Sequence, residues 1–150
     1  MYGKMETLGR SMGVKTNIIW GCLWDETLQW LVESGSKTYA EIKNSTSWGN
    51  YKDSTFKYED TNGIEATKNT LNSTKIPTGS SEYTKANNIY DMAGNVYDWT
   101  LETDGSRFIT FRGGYYSDNG SSIAAFSRIY GKVPSSKDYD LGFRTYLYIK

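Results

Sequence analysis

The chain has 150 residues, enough for one domain, and its 17 basic side chains balance 17 acidic ones, so no net field draws in nucleic acid or an anionic membrane. Histidine is absent, which removes the commonest general base and zinc ligand, and a single cysteine allows neither an intrachain disulfide nor a cysteine metal cluster. Only 37% of residues are apolar but 15% are aromatic, which predicts a core built from rings rather than aliphatic chains.

Residues 1–15 carry glycines at short intervals and little periodicity, predicting an irregular lead-in to a domain over 16–150. No run reaches the roughly 18 apolar residues of a membrane span, and Met1–Glu6 lacks the apolar stretch of a signal peptide. The β-branched and aromatic run Asn17–Gly21 leads into a predicted helix over Trp24–Glu33. There Trp24, Leu28 and Leu31 share one face, acids occupy the first turn and Gly35 ends the element. Cys22, set among apolar neighbours, is expected to be a buried structural thiol. Thr38–Ile42 predicts a second short helix. From Asn44 to Glu82 the composition turns to Ser, Thr, Asn, Gly and Lys, with Trp48, Tyr51, Phe56, Tyr58, Ile64 and Ile76 as anchors, which predicts a long packed loop.

The stretch Asn88–Thr100 places a Gly94-Asn95 turn between two runs of mixed polarity, with Asp91 before it and Asp98-Trp99 after it. Arg107–Arg112 alternates polar and apolar residues and stops at Gly113-Gly114, a strand closed by a turn or bulge. Tyr115–Ser127 is polar and glycine-bearing, and Phe143–Ile149 alternates as a closing strand. The sum is an α+β domain with one or two helices, short strands and long loops. Asp98 is placed to pair with either Arg112 or Arg144, and Asx residues beside the Gly-Asn turn can equally bond their own backbone.

Gly94-Asn95-Val96-Tyr97-Asp98-Trp99, then Arg112-Gly113-Gly114, Arg128 and Gly142-Phe143-Arg144, resemble in order and spacing the signature of the formylglycine-generating enzyme (sulfatase-modifying factor) family. The resemblance covers roughly residues 20–150 and implies a C-type-lectin-like fold, with Trp99, Arg112, Gly113, Gly114 and Arg144 as structural residues. The strands that open the family's domain are missing, so the chain is expected to be a C-terminal piece or a minimal version. In the family's oxidases two cysteines after the Gly-Gly motif bind copper. Here those places fall at about Asp118 and Ile123, and no cysteine follows Cys22. Neither side chain replaces a thiolate, and branches that hold iron through histidine are closed as well, so copper, zinc and the family's known chemistries are not expected. The resemblance also implies a calcium site at Asp91, Gly94, Val96 and Asp98, whose donors are all oxygens as a hard cation requires.

The leading expectation is therefore a non-catalytic ligand-binding module. The resemblance puts the segment from Tyr115 to Ile129 over the surface where the enzymes place their active site. Its Tyr, Ser, Asn and Asp residues are those of adaptable recognition loops, and retroelement-diversified proteins of this fold vary the same segment. Ligand-facing candidates are Tyr115, Tyr116, Ser117, Asp118, Asn119, Ser121, Ser122, Tyr130 and Tyr139. The expected partner is a protein or glycan on another surface, and the expected setting is extracellular, on a cell surface or a phage particle. The alternative is an enzyme of another kind using Asp91, Asp98, Glu102 or Asp118 as acid or base, for which a cleft holding two carboxylates is the requirement.

Overall fold

The computed structural model describes residues 16–105 and 108–147. The predicted lead-in over 1–15, Arg107 and the end of the closing strand at Tyr148 and Ile149 lie outside them. The first strand, β1 (Thr16–Ile18), pairs antiparallel with β10 (Thr145–Leu147), so the start and end of the described chain meet.

The main helix, α1 (Gly21–Glu33), begins three residues earlier than the apolar spacing predicts. Its first residue is glycine because a Cβ there would lie 2.0 Å from the Glu102 carboxylate, on the strand against which the helix end rests. Two expectations change as a result. Cys22 stands on the outer face and is exposed rather than buried, and Asp25 sits past the first turn, where it reaches basic partners described below. The buried face of Trp24, Leu28 and Leu31 is as the periodicity predicts. The short helix α2 (Tyr39–Lys43) is fixed by a capping box, the Thr38 hydroxyl accepting from the Glu41 amide while the Glu41 carboxylate accepts from the Thr38 amide.

The polar stretch after α2 is packed, with Trp48, Tyr51, Phe56 and Ile76 buried, although Ile64 is 63% exposed at the tip of a hairpin. That hairpin, β2 (Phe56–Glu59) with β3 (Glu65–Lys68), went unforeseen because its strands are polar on most positions. It buries Lys68 completely, and the ammonium donates to the main-chain carbonyls of Tyr51, Lys52 and Ser54. Loss of water pushes the Lys68 pKa down to about 8. The amine thus holds the loop beneath Tyr51 closed.

A two-stranded ribbon, β4 (Lys85–Ala86) and β5 (Ile89–Tyr90), leads to the principal sheet. Its strands are β6 (Tyr97–Thr103), β7 (Ile109–Arg112), β8 (Arg128–Lys132) and β9 (Leu141–Phe143), in the order β8-β7-β6-β9, antiparallel except for the β6–β9 pair. The predicted closing strand is broken at Arg144 into β9 and β10, which belong to different sheets. Two cores result. One gathers Trp24, Leu28, Leu31, Trp48, Tyr51 and Met92 beneath α1, and the other gathers Ile18, Trp99, Ile109, Phe111 and Leu141 on the sheet. Among the described residues no helix is long and apolar enough to cross a membrane.

Candidate functional site

The Gly94-Asn95 turn is a clamp on three other segments. Gly94, at φ +73°, lies so close to Asn50 that a Cβ would come within 2.2 Å of the Asn50 carbonyl oxygen. Asn95 is also in the left-handed region. Its side-chain oxygen accepts from the Asn50 amide at 3.1 Å and the Ile76 N–H at 3.0 Å, while its amide donates to the Ile76 carbonyl at 3.1 Å. Its main-chain N–H donates to Asn50, and its carbonyl accepts from the Tyr116 N–H at 3.1 Å. Asn95 therefore ties the turn, the polar loop and the start of the tyrosine-bearing segment together. The sequence marked it only as half of a turn signal.

Arg144 braces this turn, while Arg112 takes a separate route and ties the sheet to α1. Arg144 donates from Nε to Asp98 at 2.8 Å and from one terminal nitrogen to the carbonyls of Tyr90 and Asp91. Of the two partners expected for Asp98, Arg144 is the one that pairs with it, and Arg112, opposite Asp98 in the β6–β7 register, pairs with other carboxylates. Arg112 is fully buried, with Asp25 at 2.5 Å, Glu102 at 3.3 Å and the Phe126 carbonyl at 3.1 Å. Arg128 bonds the same two carboxylates, closing a four-membered ionic network. Both Arg112 and Arg144 lie over the Trp24 ring, at 5.8 and 5.6 Å from its centre, so a helix residue joins the two routes.

Asp91 and Asp98 line one cavity of about 290 Å³ with Thr78, Asn95, Val96 and Arg144. Burial pushes both carboxyls above their ordinary range, opposed at Asp98 by Arg144 and at Asp91 by Thr84 and Arg144. The two differ in partners, because Asp98 is ion-paired whereas neither buried Asp91 oxygen makes a hydrogen bond of normal geometry, with Thr84 and the Gly79 backbone only close enough to temper the shift. An orphaned buried carboxylate beside other oxygen donors suits a hard cation. Among the described residues, however, no three His, Cys, Asp or Glu side chains converge as a metal cluster.

The tyrosine-bearing segment begins where Gly113 and Gly114, both at positive φ, turn the chain out of β7. Tyr115 packs on Tyr97 with ring centres 5.0 Å apart, and Tyr116 meets Tyr115 edge-on at 5.3 Å. Asp118 folds back beneath them, accepting from the Tyr97 hydroxyl at 2.7 Å and the Tyr115 N–H at 3.1 Å. Burial raises the Tyr97 phenol, with the Asp118 carboxylate adding to the shift, and burial likewise raises Asp118 and Tyr115. Tyr139, 70% exposed, is brought to this side by its neighbour Asp140, whose carbonyl accepts from the Tyr97 N–H at 2.8 Å. This brings Tyr115, Tyr116, Ser117, Asp118 and Tyr139 to one half-exposed face. Asn119, Ser121 and Ser122 form an exposed turn beside it, with the Asn119 carbonyl accepting from the Ser122 and Ile123 amides. Tyr130 stands apart on β8, 48% exposed. Tyr97 and Asp140 join the face without having been singled out. Their signal was indirect, Tyr97 alternating with buried Asp98 at the head of β6.

The carboxylates proposed for acid–base work are largely committed: Asp98 to Arg144, Glu102 to Arg112 and Arg128, and Asp118 to Tyr97.

The family model of the Sulfatase-modifying factor enzyme 1-like domain matches residues 25–148. Among solved structures the chain is similar to Treponema denticola variable protein 1, with a TM-score of 0.53 at 19% identity over 87% of this chain and 46% of that one. The chain thus spans less than half the length of that protein. No curated protein matches. The architecture is α+β and C-type-lectin-like.

Proposed function

The chain belongs to the Sulfatase-modifying factor enzyme 1-like family, and from that premise we propose that it is a non-catalytic recognition module whose partner meets the face of Tyr115, Tyr116, Ser117, Asp118 and Tyr139. The observation that carries the reading is the joined ring set Tyr97–Tyr115–Tyr116. It offers large, rigid contact area beside an exposed Ser and Asn turn, and it rests on a frame already stabilised elsewhere. The similarity in fold to a protein named as variable supports it. So does the composition, because the chain has no histidine and no cysteine after Cys22 to carry the metal chemistry of the family's enzymes. Of the carboxylates in the Asp91 cavity, one is held by Arg144, which leaves no second free acid or base.

The test is capture on glycan and protein arrays, followed by the Tyr116→Ala/Tyr139→Ala variant. These positions are chosen because Tyr115 packs inward on Tyr97. Capture is expected to fall at least tenfold while the fold persists. Undiminished capture by the variant removes this face from the function.

A second reading concerns the hub. The orphaned Asp91 carboxylate favours a calcium ion held by Asp91 and Asp98 side chains with the Gly94 and Val96 carbonyls. The ion would supply structural charge compensation rather than chemistry.

A further inference from the structure

A groove of about 500 Å³ opens between α2, the loop that follows it and the 3-10 turn Glu82–Thr84. Its polar wall includes Glu41, Asn44, Thr46, Ser47, Asp53 and Thr55, and among the described residues its lining contains no lysine or arginine. The wall is preorganised. The Thr46 hydroxyl donates to Asp53 at 3.0 Å, and the Tyr83 hydroxyl donates to the Thr46 carbonyl at 2.7 Å. The Tyr83 ring is stacked on Phe56 at 4.6 Å. The groove is also continuous with the recognition segment. Asp53 accepts from the Gly120 N–H at 3.0 Å, the Gly120 carbonyl accepts from Ser45, and the Asp118 carbonyl accepts from Lys52.

The lining restricts the ligand. Two carboxylates with no cation oppose phosphate, sulfate or a ligand carboxylate. Hydroxyls, an amide and acceptor oxygens stand beside apolar surface that includes Ala40 and the Tyr83 ring, in a groove too open to enclose a lipid chain. They match a molecule that presents many hydroxyl donors around a small apolar ring. We propose that this groove is a saccharide subsite, taking a neutral sugar whose remainder lies along the Asn119–Ser122 turn. The proposal rests on the recognition reading above and names the ligand class for it. Exposed Ser47 and Thr55 stand at the mouth, and Asp53 and Asn44 accept and donate within.

The experiment is a two-dimensional amide NMR titration of the whole chain with lactose, maltose and chitobiose, repeated on Ser47→Trp and Thr55→Trp. These residues are exposed, so the fold tolerates a larger ring while the groove is filled. At least one sugar is expected to shift the amides of Thr46, Ser47, Asp53 and Thr55 saturably, and each tryptophan is expected to weaken that response about tenfold. No shift with any of the three sugars overturns the proposal, as does a shift that survives both tryptophans. Shifts confined to Tyr115–Asp118 and Tyr139 overturn the groove but leave the tyrosine face standing. Groove shifts together with undiminished array capture by Tyr116→Ala/Tyr139→Ala retain the groove and remove the face.

Discussion

Two adjacent regions of the chain use polar residues in opposite ways. In the hub around Asn95, polar side chains are buried and tied to backbone groups of distant segments, and the arginines close ion pairs over Trp24. In the segment from Tyr115 to Ser122, polar side chains are half-exposed or exposed, and their hydrogen bonds run mainly within the segment or back to the frame. Polar residues in the first region specify one arrangement. In the second, Asp118 apart, they leave the surface adaptable, since little stability depends on which of them stands there.

That contrast is open to direct attack. The largest effect is expected from Arg144→Ala, which leaves Asp98 buried without its ion partner and frees the carbonyls of Tyr90 and Asp91. Denaturant unfolding should show a loss of about 3–5 kcal/mol. Parent-like stability would remove Arg144 as a brace. Asn95→Ala leaves the Asn50 amide and both Ile76 backbone groups short of a partner, and a loss of about 2–3 kcal/mol is expected. A change within the range of ordinary surface substitutions would make the turn an incidental feature.

A smaller effect of opposite sign sharpens the comparison, because one hub residue is not satisfied. Asp91→Asn removes a buried charge without a hydrogen bond and should stabilise the chelated protein by about 1 kcal/mol. Its pKa is raised by burial, so the unfolded chain gives up the proton first, and the folded state holds more protons in the window between. Stability from this group therefore falls as pH rises from the ordinary carboxylate range, near 4, through the raised folded value. The difference between parent and variant isolates that slope. Calcium should raise the melting temperature of the parent and not of Asp91→Asn. Equal responses, or none in either, would dismiss the cation.

Much of this arrangement was legible in the sequence where residue type dictates geometry. The apolar face of Trp24, Leu28 and Leu31 follows from helical spacing, and the α+β class from short strands between glycine turns. Charge complementarity offered Arg112 and Arg144 as alternative partners of Asp98, and Arg144 takes that place. What could not be read depended on long-range pairing. Nothing local indicates that Asp25 reaches Arg112 across 87 positions, or that Lys68 lies under the Tyr51 loop. Cys22 illustrates the reverse error, since its neighbours are apolar but the helix begins early enough to turn it outward. The face itself was half visible. Tyr115 to Asp118 are consecutive and Tyr139 was already a candidate, whereas Tyr97 and Asp140 join only through the pairing of β6 with β9 and the bond from the Tyr97 N–H to the Asp140 carbonyl.

The division between a locked hub and an adaptable face is tested most directly by native-state amide hydrogen exchange. The Gly94 and Asn95 amides, which donate to Gly113 and Asn50, and the Asp91 amide, which donates to Thr84, should exchange only through global unfolding. The Ser122 and Ile123 amides, which donate within their own turn, should exchange through local opening at a much lower free energy. Equal protection in the two sets would contradict the account.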